Sequence, residues 1–379
     1  MINNNIKVAY IVKELVPYRV NFFHLIEKNI DGQSLFIIDK EPNAETKELL
    51  NDNNFPIRII GHNIKLPSFI FKQKRFVRYL PIGIIKLLKE YKPDIIICPE
   101  YSLQTIFALL YSKLFSAKII IWCSLTSLDE RISFKGQRIL RNILRKQADA
   151  FICYSKMAYE YLIKRGIKSN KCFVAENCSD VLFFSNMYQA ENDKRPNNIT
   201  RLLYIGALTR EKGVDKLLEC LSKLNNLNWH MTIIGTGELS NELFQQKEKL
   251  FREKLDLLGY IPRKKLPEYY LKSDIFVFPT KSDVWGHVID EAMALGCSVV
   301  SSNKSVAALE LIDSGVNGYV YDNDKEDELY NKLKYLLENP KCAREIGLNA
   351  IKTMQEHNEE NSSKNYIGAI EYVAEKYNK

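Results

Sequence analysis

The sequence predicts an α/β fold of two doubly wound domains, each with a parallel sheet covered by helices on both faces. Its length of 379 residues suits two domains. Short apolar segments alternate with segments of helical periodicity along nearly the whole chain. These apolar segments are continuous, which is typical of strands buried on both faces. The alternation is interrupted once, by the polar residues 186–200, which we interpret as a linker.

The first domain is predicted to span residues 1–185, and its elements follow from apolar runs separated by amphipathic segments. The strands are predicted at 6–12, 34–39, 57–61, 94–100, 118–124, 149–155 and 171–177. The helices are predicted at 19–29, 76–91, 103–115, 135–147 and 156–165. This order of strands and helices indicates a doubly wound parallel sheet.

The second domain, residues 201–360, repeats the same pattern after the linker. Its strands are predicted at 201–206, 230–235, 255–261, 274–280, 298–303 and 317–322. Its helices are predicted at 213–224, 240–254, 265–272, 287–296, 305–314, 325–338 and 341–357. A last amphipathic helix, 361–378, is expected to return to the first domain, and residues 361–379 are counted with it. Two such domains are expected to face each other across a cleft that binds ligands beyond the carboxyl ends of the strands.

Composition and charge favour a protein that is neither exported nor membrane-spanning and whose first half is basic. The chain carries a net charge of +8, and the first half is the basic one, with 28 Lys and Arg against 17 Asp and Glu in residues 1–185. Its eight cysteines lack metal-ligand spacing and are expected to be reduced thiols in the cytoplasm. The N-terminus does not fit a signal peptide, and no apolar run reaches the length of a membrane span.

The richest chemistry lies in residues 279–303, where a predicted strand, a polar turn and a helix follow one another. Gly286 permits close backbone approach, and the N–H groups of Gly286, His287 and Val288 stand at a helix N-terminus that suits a diphosphate. Asp283 in the turn and Glu291 eight positions later supply carboxylates for sugar and ribose hydroxyls. Ordinary complementation of the helix dipole is the alternative, chiefly for Asp283.

A second constellation lies in residues 202–221, where Gly206 opens a loop that carries Arg210 and Lys212 before a helix. Two cations at this place suit a pyrophosphate leaving group, while a solvated loop is the structural alternative. Gly235 belongs to a short glycine loop after the next strand, which by itself is only a weak indication of phosphate binding.

These residues resemble glycosyltransferase family 4, retaining enzymes of the GT-B fold also described as glycosyl transferases group 1. The family has a glutamate, seven residues and a second glutamate before an Ala-Met-Ala helix, and here Asp283 stands in the first position and Glu291 in the second. The resemblance implies that Asp283 faces the donor sugar, that Glu291 faces the ribose, and that the backbone from Trp285 lines the phosphates. Lys212 matches a family lysine, whereas Ala207 stands where the family has arginine, so Arg210 is taken as the replacement.

The resemblance also implies the reaction and the rest of the site. Lys212, Arg210 and Asp283 are the candidate catalytic residues, and Tyr260 with Ile261 belongs to the segment expected to hold the nucleobase. The transfer is expected to retain configuration and to need neither metal nor cofactor, with a nucleotide sugar as co-substrate, UDP favoured over GDP. A GT-B sugar-nucleotide epimerase and a two-lobed binding protein are the rival functions.

The segments of the first domain that are expected to bind the acceptor differ from the family pattern. Pro17, Tyr18 and Arg19 replace a glycine pair after the first strand, and the segment with Ser124 replaces a histidine. We place the acceptor at Tyr18, Arg19, Glu100 and Ser124, as a saccharide that is lipid-linked. Lys72, Lys74, Arg75 and Arg78 interleave with aromatic residues, and 135–147 is a second basic helix; both suit an anionic membrane surface. A solvated helix face remains the alternative, and no nucleic-acid partner is expected.

Overall fold

A computed structural model describes residues 6–30, 32–53, 55–61, 64–65, 79–100, 102–130, 135–188 and 199–377. The chain forms two compact units, one made of Met1–Asn177 with Glu360–Lys379, the other of Cys178–Glu359. The predicted linker, 186–200, stays a prediction because most of it lies outside the described residues. Throughout the described ranges, no helix combines the length and the apolar character of a membrane-spanning segment.

The first unit alternates strands and helices as predicted. Its strands are β1 (Ile6–Val12), β2 (Gly32–Ile38), β3 (Ile57–Ile59), β4 (Ile64–Lys65), β5 (Tyr79–Leu80), β6 (Ile95–Pro99), β7 (Lys118–Cys123), β8 (Ala150–Cys153) and β9 (Cys172–Val174). Its helices before the second unit are α1 (Pro17–Asn29), α2 (Ala44–Asn53), α3 (Gly83–Tyr91), α4 (Leu103–Phe115), α5 (Ser127–Glu130), α6 (Lys135–Gln147) and α7 (Lys156–Lys164).

Seven of these strands form one parallel sheet in the order β3-β2-β1-β6-β7-β8-β9. The order reverses between β1 and β6, so a topological switch point lies there. Successive residues of β7 enter different cores, with Ile121 on one face and Ile120 on the other. The prediction of strands buried on both faces is confirmed for this sheet. The short strands β4 and β5 pair separately and antiparallel.

The second unit contains the remaining strands. They are β10 (Thr200–Ile205), β11 (Trp229–Ile234), β12 (Leu255–Leu257), β13 (Ile275–Phe278), β14 (Ser298–Ser302) and β15 (Gly318–Tyr321). The helices are α8 (Val181–Met187), α9 (Val214–Lys223), α10 (Ser240–Gln246), α11 (Leu266–Leu271), α12 (His287–Ala294), α13 (Val306–Leu311), α14 (Glu328–Glu338) and α15 (Pro340–Glu356). The sheet is parallel in the order β12-β11-β10-β13-β14-β15, so its switch point lies between β10 and β13.

The last helix, α16 (Glu359–Tyr377), packs on the sheet of the first unit, as predicted. Tyr366, Ile370 and Val373 are buried in the core that also contains Phe23 of α1 and Trp122 of β7. The Tyr366 ring meets the Trp122 ring edge-on, with centroids 5.4 Å apart. Helices α1 and α16 therefore pack in the same core of the first unit.

Two predicted helices have clearly different bounds. The predicted helix 76–91 begins at Gly83 because Pro81 cannot lie inside a helix. The predicted helix 240–254 ends at Gln246 and continues as a π turn and a 3-10 turn, with Arg252 in a left-handed conformation (φ 42°). Helices α2 and α8 were not predicted from the sequence at all.

Candidate functional site

The strongest site residues lie in the two crossover loops that flank the switch point of the second unit. One loop follows β10 and carries Lys212, and the other follows β13 and carries Asp283. The backbone N–H of Lys281 donates to the Glu211 carbonyl at 2.8 Å, which ties the two loops together. As a result, Lys212 Nζ lies 2.5 Å from Asp283 Oδ2. The structure thus brings together two of the residues that the sequence predicted to be catalytic.

The Lys212–Asp283 pair is fixed by further contacts. The other carboxylate oxygen of Asp283 accepts the backbone N–H of Trp285 at 3.1 Å. Lys212 Nζ lies 5.7 Å from the centroid of the Phe278 ring. The two charged side chains keep 25% and 22% exposure, so the ion pair remains within reach of a ligand. A positioned cation at the carboxyl end of a parallel sheet is suited to a diphosphate.

Helix α12 begins beside this pair with a glycine that no other residue can replace without strain. Gly286 has φ 106°, and a Cβ there would lie 2.6 Å from Ser305 Oγ. The first backbone N–H groups of a helix have no intrahelical partner, and the helix dipole adds positive potential. Gly286, His287 and Val288 therefore form the helix N-terminus that the sequence predicted as an anion site.

Asp290 organises this helix start and was not singled out from the sequence. Its carboxylate is fully buried and accepts the Trp285 indole N–H at 3.0 Å and the Ser179 backbone N–H at 3.0 Å. His287 Nδ1 lies 3.3 Å from the same carboxylate. The Trp285 side chain is consequently buried in the fold, so only its backbone is placed to line a ligand, which is the role the sequence predicted.

Glu291 is buried in a network that the sequence did not reveal. Its carboxylate accepts the Tyr270 hydroxyl at 2.9 Å and lies 3.8 Å from Arg263 Nε. Arg263 also pairs with Asp180 at 2.6 Å and stacks over the Phe184 ring. Burial raises the pKa of Glu291, and the Arg263 charge and the Tyr270 hydroxyl oppose that rise. Arg263 thus favours the ionised form of this buried carboxylate and offsets part of the effect of burial.

The predicted glycines of the second unit let its loops approach each other closely. A Cβ on Gly235 would lie 1.9 Å from the Gly206 carbonyl oxygen, and Gly235 itself has φ 143°. The Gly235 N–H donates to the Gly259 carbonyl at 2.8 Å. Tyr260 follows there with 72% exposure, and Ile261 is partly buried. The segment predicted to hold the base therefore lies at the carboxyl edge, next to Gly235.

Arg210 has partners outside the Lys212–Asp283 pair. Its guanidinium lies 3.2 Å from Glu242 and 3.7 Å from Asp215, and it is 64% exposed. The structure therefore does not bring Arg210 together with Lys212 and Asp283, and its catalytic role stays a prediction. The sequence position alone could not show this, because Glu242 lies far along the chain in α10.

The acceptor-side residues all lie in the first unit, at the carboxyl ends of its strands. Tyr18 and Arg19 begin α1 after β1, while Glu100 directly follows β6. Ser124 directly follows β7, and its backbone N–H donates to Glu100 at 2.7 Å. The four residues predicted from membrane-like patterning, Lys72, Lys74, Arg75 and Arg78, lie outside the described residues.

Comparison with known proteins identifies two family matches that divide the chain as the fold does. Residues 39–181 match the family described as Glycosyltransferase Family 4. Residues 189–353 match the family described as Glycosyl transferases group 1. The second match contains both Lys212 and the Asp283–Glu291 segment.

Three similar proteins illustrate the match. The amylovoran biosynthesis glycosyltransferase AmsD of Erwinia amylovora is 23% identical over 300 residues, covering 76% of this chain and 83% of AmsD. The Campylobacter jejuni N-acetylgalactosamine-N,N'-diacetylbacillosaminyl-diphospho-undecaprenol 4-alpha-N-acetylgalactosaminyltransferase is 27% identical over 211 residues, covering 55% of this chain and 56% of that enzyme. The crystal structure of Anabaena Alr3699/HepE in complex with UDP and glucose is 18% identical with a TM-score of 0.72, covering 97% and 99% of the two chains.

Proposed function

This chain belongs to the group 1 glycosyltransferases of the GT-B fold, and from that premise we propose that it is a retaining enzyme which uses a nucleotide diphosphate sugar as donor. The acceptor is a lipid-linked saccharide, and the product belongs to a surface polysaccharide or glycolipid. The reaction is metal-independent and takes place in the cytoplasm, at the inner face of the cell membrane.

The Lys212–Asp283 pair beside the start of α12 is the observation that carries the donor assignment. Breaking the bond between sugar and diphosphate leaves negative charge on the β-phosphate. The Lys212 ammonium and the N–H groups at Gly286 and His287 supply positive potential where that charge develops, which supports a reaction without a metal. Asp283 then accepts hydroxyl groups of the donor sugar once Lys212 turns to the phosphate.

The Glu291 network supports a nucleoside as the other half of the donor. An ionised carboxylate accepts two ribose hydroxyls well, and Arg263 favours that ionised form. UDP is preferred to GDP as the nucleotide, and the similar HepE structure contains UDP. The segment at Tyr260 and Ile261 is proposed to contact the base.

Two helices on one face of the first unit support an acceptor at a membrane. Helix α6 exposes Ile139 (60%) and Ile143 (54%), one turn apart, and helix α4 exposes Leu114 (77%) and Phe115 (48%). Both helices pack on the same core, so these apolar side chains share a face of the sheet. Lys113 of α4 and Arg138 and Lys146 of α6 are exposed on the same two helices, and basic residues next to apolar ones are typical of surfaces that dock on anionic lipid. The Campylobacter jejuni relative, by its name, acts on a diphospho-undecaprenol substrate.

A thermal-shift screen of the purified full chain tests the donor assignment. We expect UDP and one or more UDP-sugars to raise the melting temperature, by about 2.7 kcal/mol of added stability when ligand is 100-fold above its Kd. Glu291→Gln is expected to weaken the UDP shift, and Glu345→Gln, at an exposed position of α15, to leave it unchanged. A panel in which no nucleotide shifts the wild-type chain contradicts the proposal.

Product analysis then tests the reaction. With donor and a membrane fraction as acceptor source, we expect UDP release and a product whose NMR spectrum shows the donor's anomeric configuration. With donor alone, we expect only slow hydrolysis. Conversion of the donor into a different nucleotide sugar without any acceptor would instead establish an epimerase.

A further inference from the structure

The first unit contains a guanidinium enclosed by aromatic rings at the switch point of its own sheet. Arg19 lies in the first turn of α1, after β1, and Glu100 follows the neighbouring strand β6. The guanidinium carbon of Arg19 lies 4.4 Å from the Trp122 ring centroid and 5.7 Å from that of Tyr154. We call Tyr18, Arg19, Trp122 and Tyr154 the Arg19 site. Switch points at the carboxyl ends of parallel strands are where such sheets bind ligands.

The hydrogen bonds of Arg19 leave it without an anionic partner. Nη2 donates to the Tyr154 hydroxyl at 2.7 Å, and Nε lies 3.5 Å from the Tyr18 hydroxyl. Within the described part of the chain, no carboxylate lies within ion-pair distance of Arg19. A guanidinium has five N–H donors in a planar fork that matches two oxygens of one anion. The Nη1 edge of this fork has no hydrogen-bond acceptor among the described residues.

The unsatisfied Nη1 edge of Arg19 is costly because of the groups that surround it. Aromatic rings on several sides withdraw the guanidinium from water, and their attraction for a cation offsets only part of the lost solvation. The Nη1 edge therefore offers charged N–H donors to an oxyanion that reaches this end of the sheet.

The nearby carboxylate adds a second type of recognition. Glu100 accepts both the backbone N–H and the hydroxyl of Ser124, which hold its carboxylate at the end of β6. Glu100 and Arg19 both lie near the Tyr154 hydroxyl, because the Arg19 charge lowers the pKa of Tyr154 and the Glu100 charge raises it. A carboxylate accepts sugar hydroxyls and repels anions, so the oxyanion has its place at Arg19 and the hydroxyls at Glu100.

We propose that Arg19 binds an oxyanion of the acceptor, a sugar carboxylate or a phosphate, and that the enzyme therefore selects anionic acceptors over neutral ones. This inference deepens the proposed function and rests on it. It assigns Arg19 to acceptor specificity, apart from the diphosphate site at Lys212 in the second unit. Tyr154 orients the guanidinium through its hydroxyl.

Ligand-observed NMR titrations of the full chain, saturated with UDP to fill the donor site, test the proposal. The probes are methyl glucuronide for the carboxylate, glucose 1-phosphate for the phosphate, and methyl glucoside as the neutral sugar. We expect one of the two anionic probes to bind about tenfold or more tightly than methyl glucoside, as a charge-assisted bidentate contact provides. The anion that binds identifies the source of the oxyanion.

Variants separate Arg19 from general charge effects. Arg19→Gln is expected to abolish the preference for the anion, and Arg19→Lys to keep part of it, because the charge remains without the fork. Arg165→Gln is the matched control, since Arg165 also stacks on a tyrosine ring but at an exposed helix end. If Arg19→Gln does not fold, a reduced preference in Arg19→Lys supports the proposal and an unchanged one contradicts it.

Two outcomes distinguish this inference from the proposed function. Equal binding of anionic and neutral probes, or an anion preference that survives Arg19→Gln, overturns the inference while UDP binding leaves the donor assignment intact. If UDP fails to bind the wild-type chain, the donor assignment fails, and the same titrations without UDP still decide whether Arg19 binds an oxyanion.

Discussion

At the scale of single residues, the proposed donor site depends on a cation that the fold holds in position. Lys212 would be mobile in an open loop, but Asp283 holds its ammonium at 2.5 Å. Asp283 is in turn fixed by the Trp285 backbone N–H. In the proposed reaction, such prior positioning would lower the reorganisation needed when charge develops on the leaving diphosphate. The pair is partly exposed, so a phosphate can replace Asp283 as the partner of Lys212.

Replacing Lys212 tests this preparation. Lys212→Met is expected to lower kcat/KM for hydrolysis of the UDP-sugar donor by about 100-fold to 1,000-fold, since a positioned charge is lost at the reacting group. Lys216→Met, at an exposed position of α9, is the control and is expected to keep wild-type kinetics. UDP release measures the rate. Wild-type hydrolysis in Lys212→Met would exclude Lys212 from the reaction.

The residues of the site differ in how far the sequence could predict them. Asp283, Glu291 and Lys212 were predicted because they lie at fixed spacing within short segments, next to a predicted strand end or helix start. Arg263 could not be predicted, because its contact with Glu291 depends on how the loop after β12 reaches α12. The basic run that begins at Arg263 was the only local signal. For Asp290, adjacent to Glu291, the only local sequence signal was an acidic residue on an otherwise apolar helix.

At the scale of elements, helix α8 depends on a carboxylate far along the chain. Glu359 accepts the Leu182 backbone N–H at 3.1 Å, in the first turn of α8. The Asp180 side chain at the cap position makes no such bond to the helix. Glu359 is 6% exposed, and burial raises its pKa from 4.5 to about 7. The folded unit therefore holds a proton on Glu359 that the unfolded chain releases.

This raised pKa predicts how stability depends on pH. Because the folded pKa exceeds the unfolded one, the contribution of Glu359 is complete below pH 4.5 and is lost as pH rises through about 7. The loss amounts to about 3 kcal/mol in the free energy of unfolding. Glu359→Gln is expected to remove this part of the pH dependence, as measured by urea denaturation from acidic to neutral pH.

The adjacent Glu360 supplies the control for that experiment. Its side chain is exposed, so Glu360→Gln is expected to show the wild-type pH dependence. Identical slopes of unfolding free energy against pH for Glu359→Gln and the wild-type chain would show that Glu359 does not bind the extra proton.

The loops at the carboxyl edge of the second sheet are packed too closely for any side chain at Gly235. Gly235→Ala is expected to cost at least about 3 kcal/mol, because its Cβ would overlap the Gly206 carbonyl and alanine disfavours φ 143°. Gly61→Ala, where nothing lies within 4 Å of an added Cβ, is the control. Chemical denaturation measures both. A Gly235→Ala chain with unchanged stability would show that the two loops can separate at little cost.

Elements with strong periodicity were predicted well, and those with a weak apolar signal were not. Helices α4 and α6 have the predicted bounds, because α6 has a clear amphipathic repeat and α4 is a long segment of mostly apolar residues. Helix α2, with the sequence AETKELLNDN, has few apolar residues, so its pattern did not stand out. Helix α8 was missed because its seven residues are too few to show a period. The break after Gln246 could not be predicted, because the following residues have ordinary helix-forming composition.

At the scale of the whole molecule, the two units share a topology and differ in surface character. Both sheets are parallel with one switch point, as the alternation of segments predicted. The excess of positive charge belongs to the first half of the chain. The described part of the first unit also exposes the apolar side chains of α4 and α6. Apolar side chains within a basic surface favour contact with anionic lipid over contact with neutral lipid.

Vesicle flotation tests whether this surface docks on a membrane. The full chain is expected to float with vesicles of phosphatidylcholine and phosphatidylglycerol and to remain in solution with phosphatidylcholine alone. Added salt is expected to weaken binding, since it screens the lipid charge. The double variant Ile139→Asp, Ile143→Asp is expected to lower the partition coefficient on the order of 100-fold, because two apolar side chains no longer enter the interface.

The fold offers a matched control for that variant in the other unit. Phe244 on α10 is 57% exposed, comparable to Ile139 at 60%, and it lies in the half of the chain without excess positive charge. Phe244→Asp is expected to leave flotation unchanged, because an isolated exposed apolar residue away from the basic surface gains little from lipid. Equal loss in both variants would assign binding to general hydrophobicity. Flotation that survives the double variant would show that α6 does not contact the membrane.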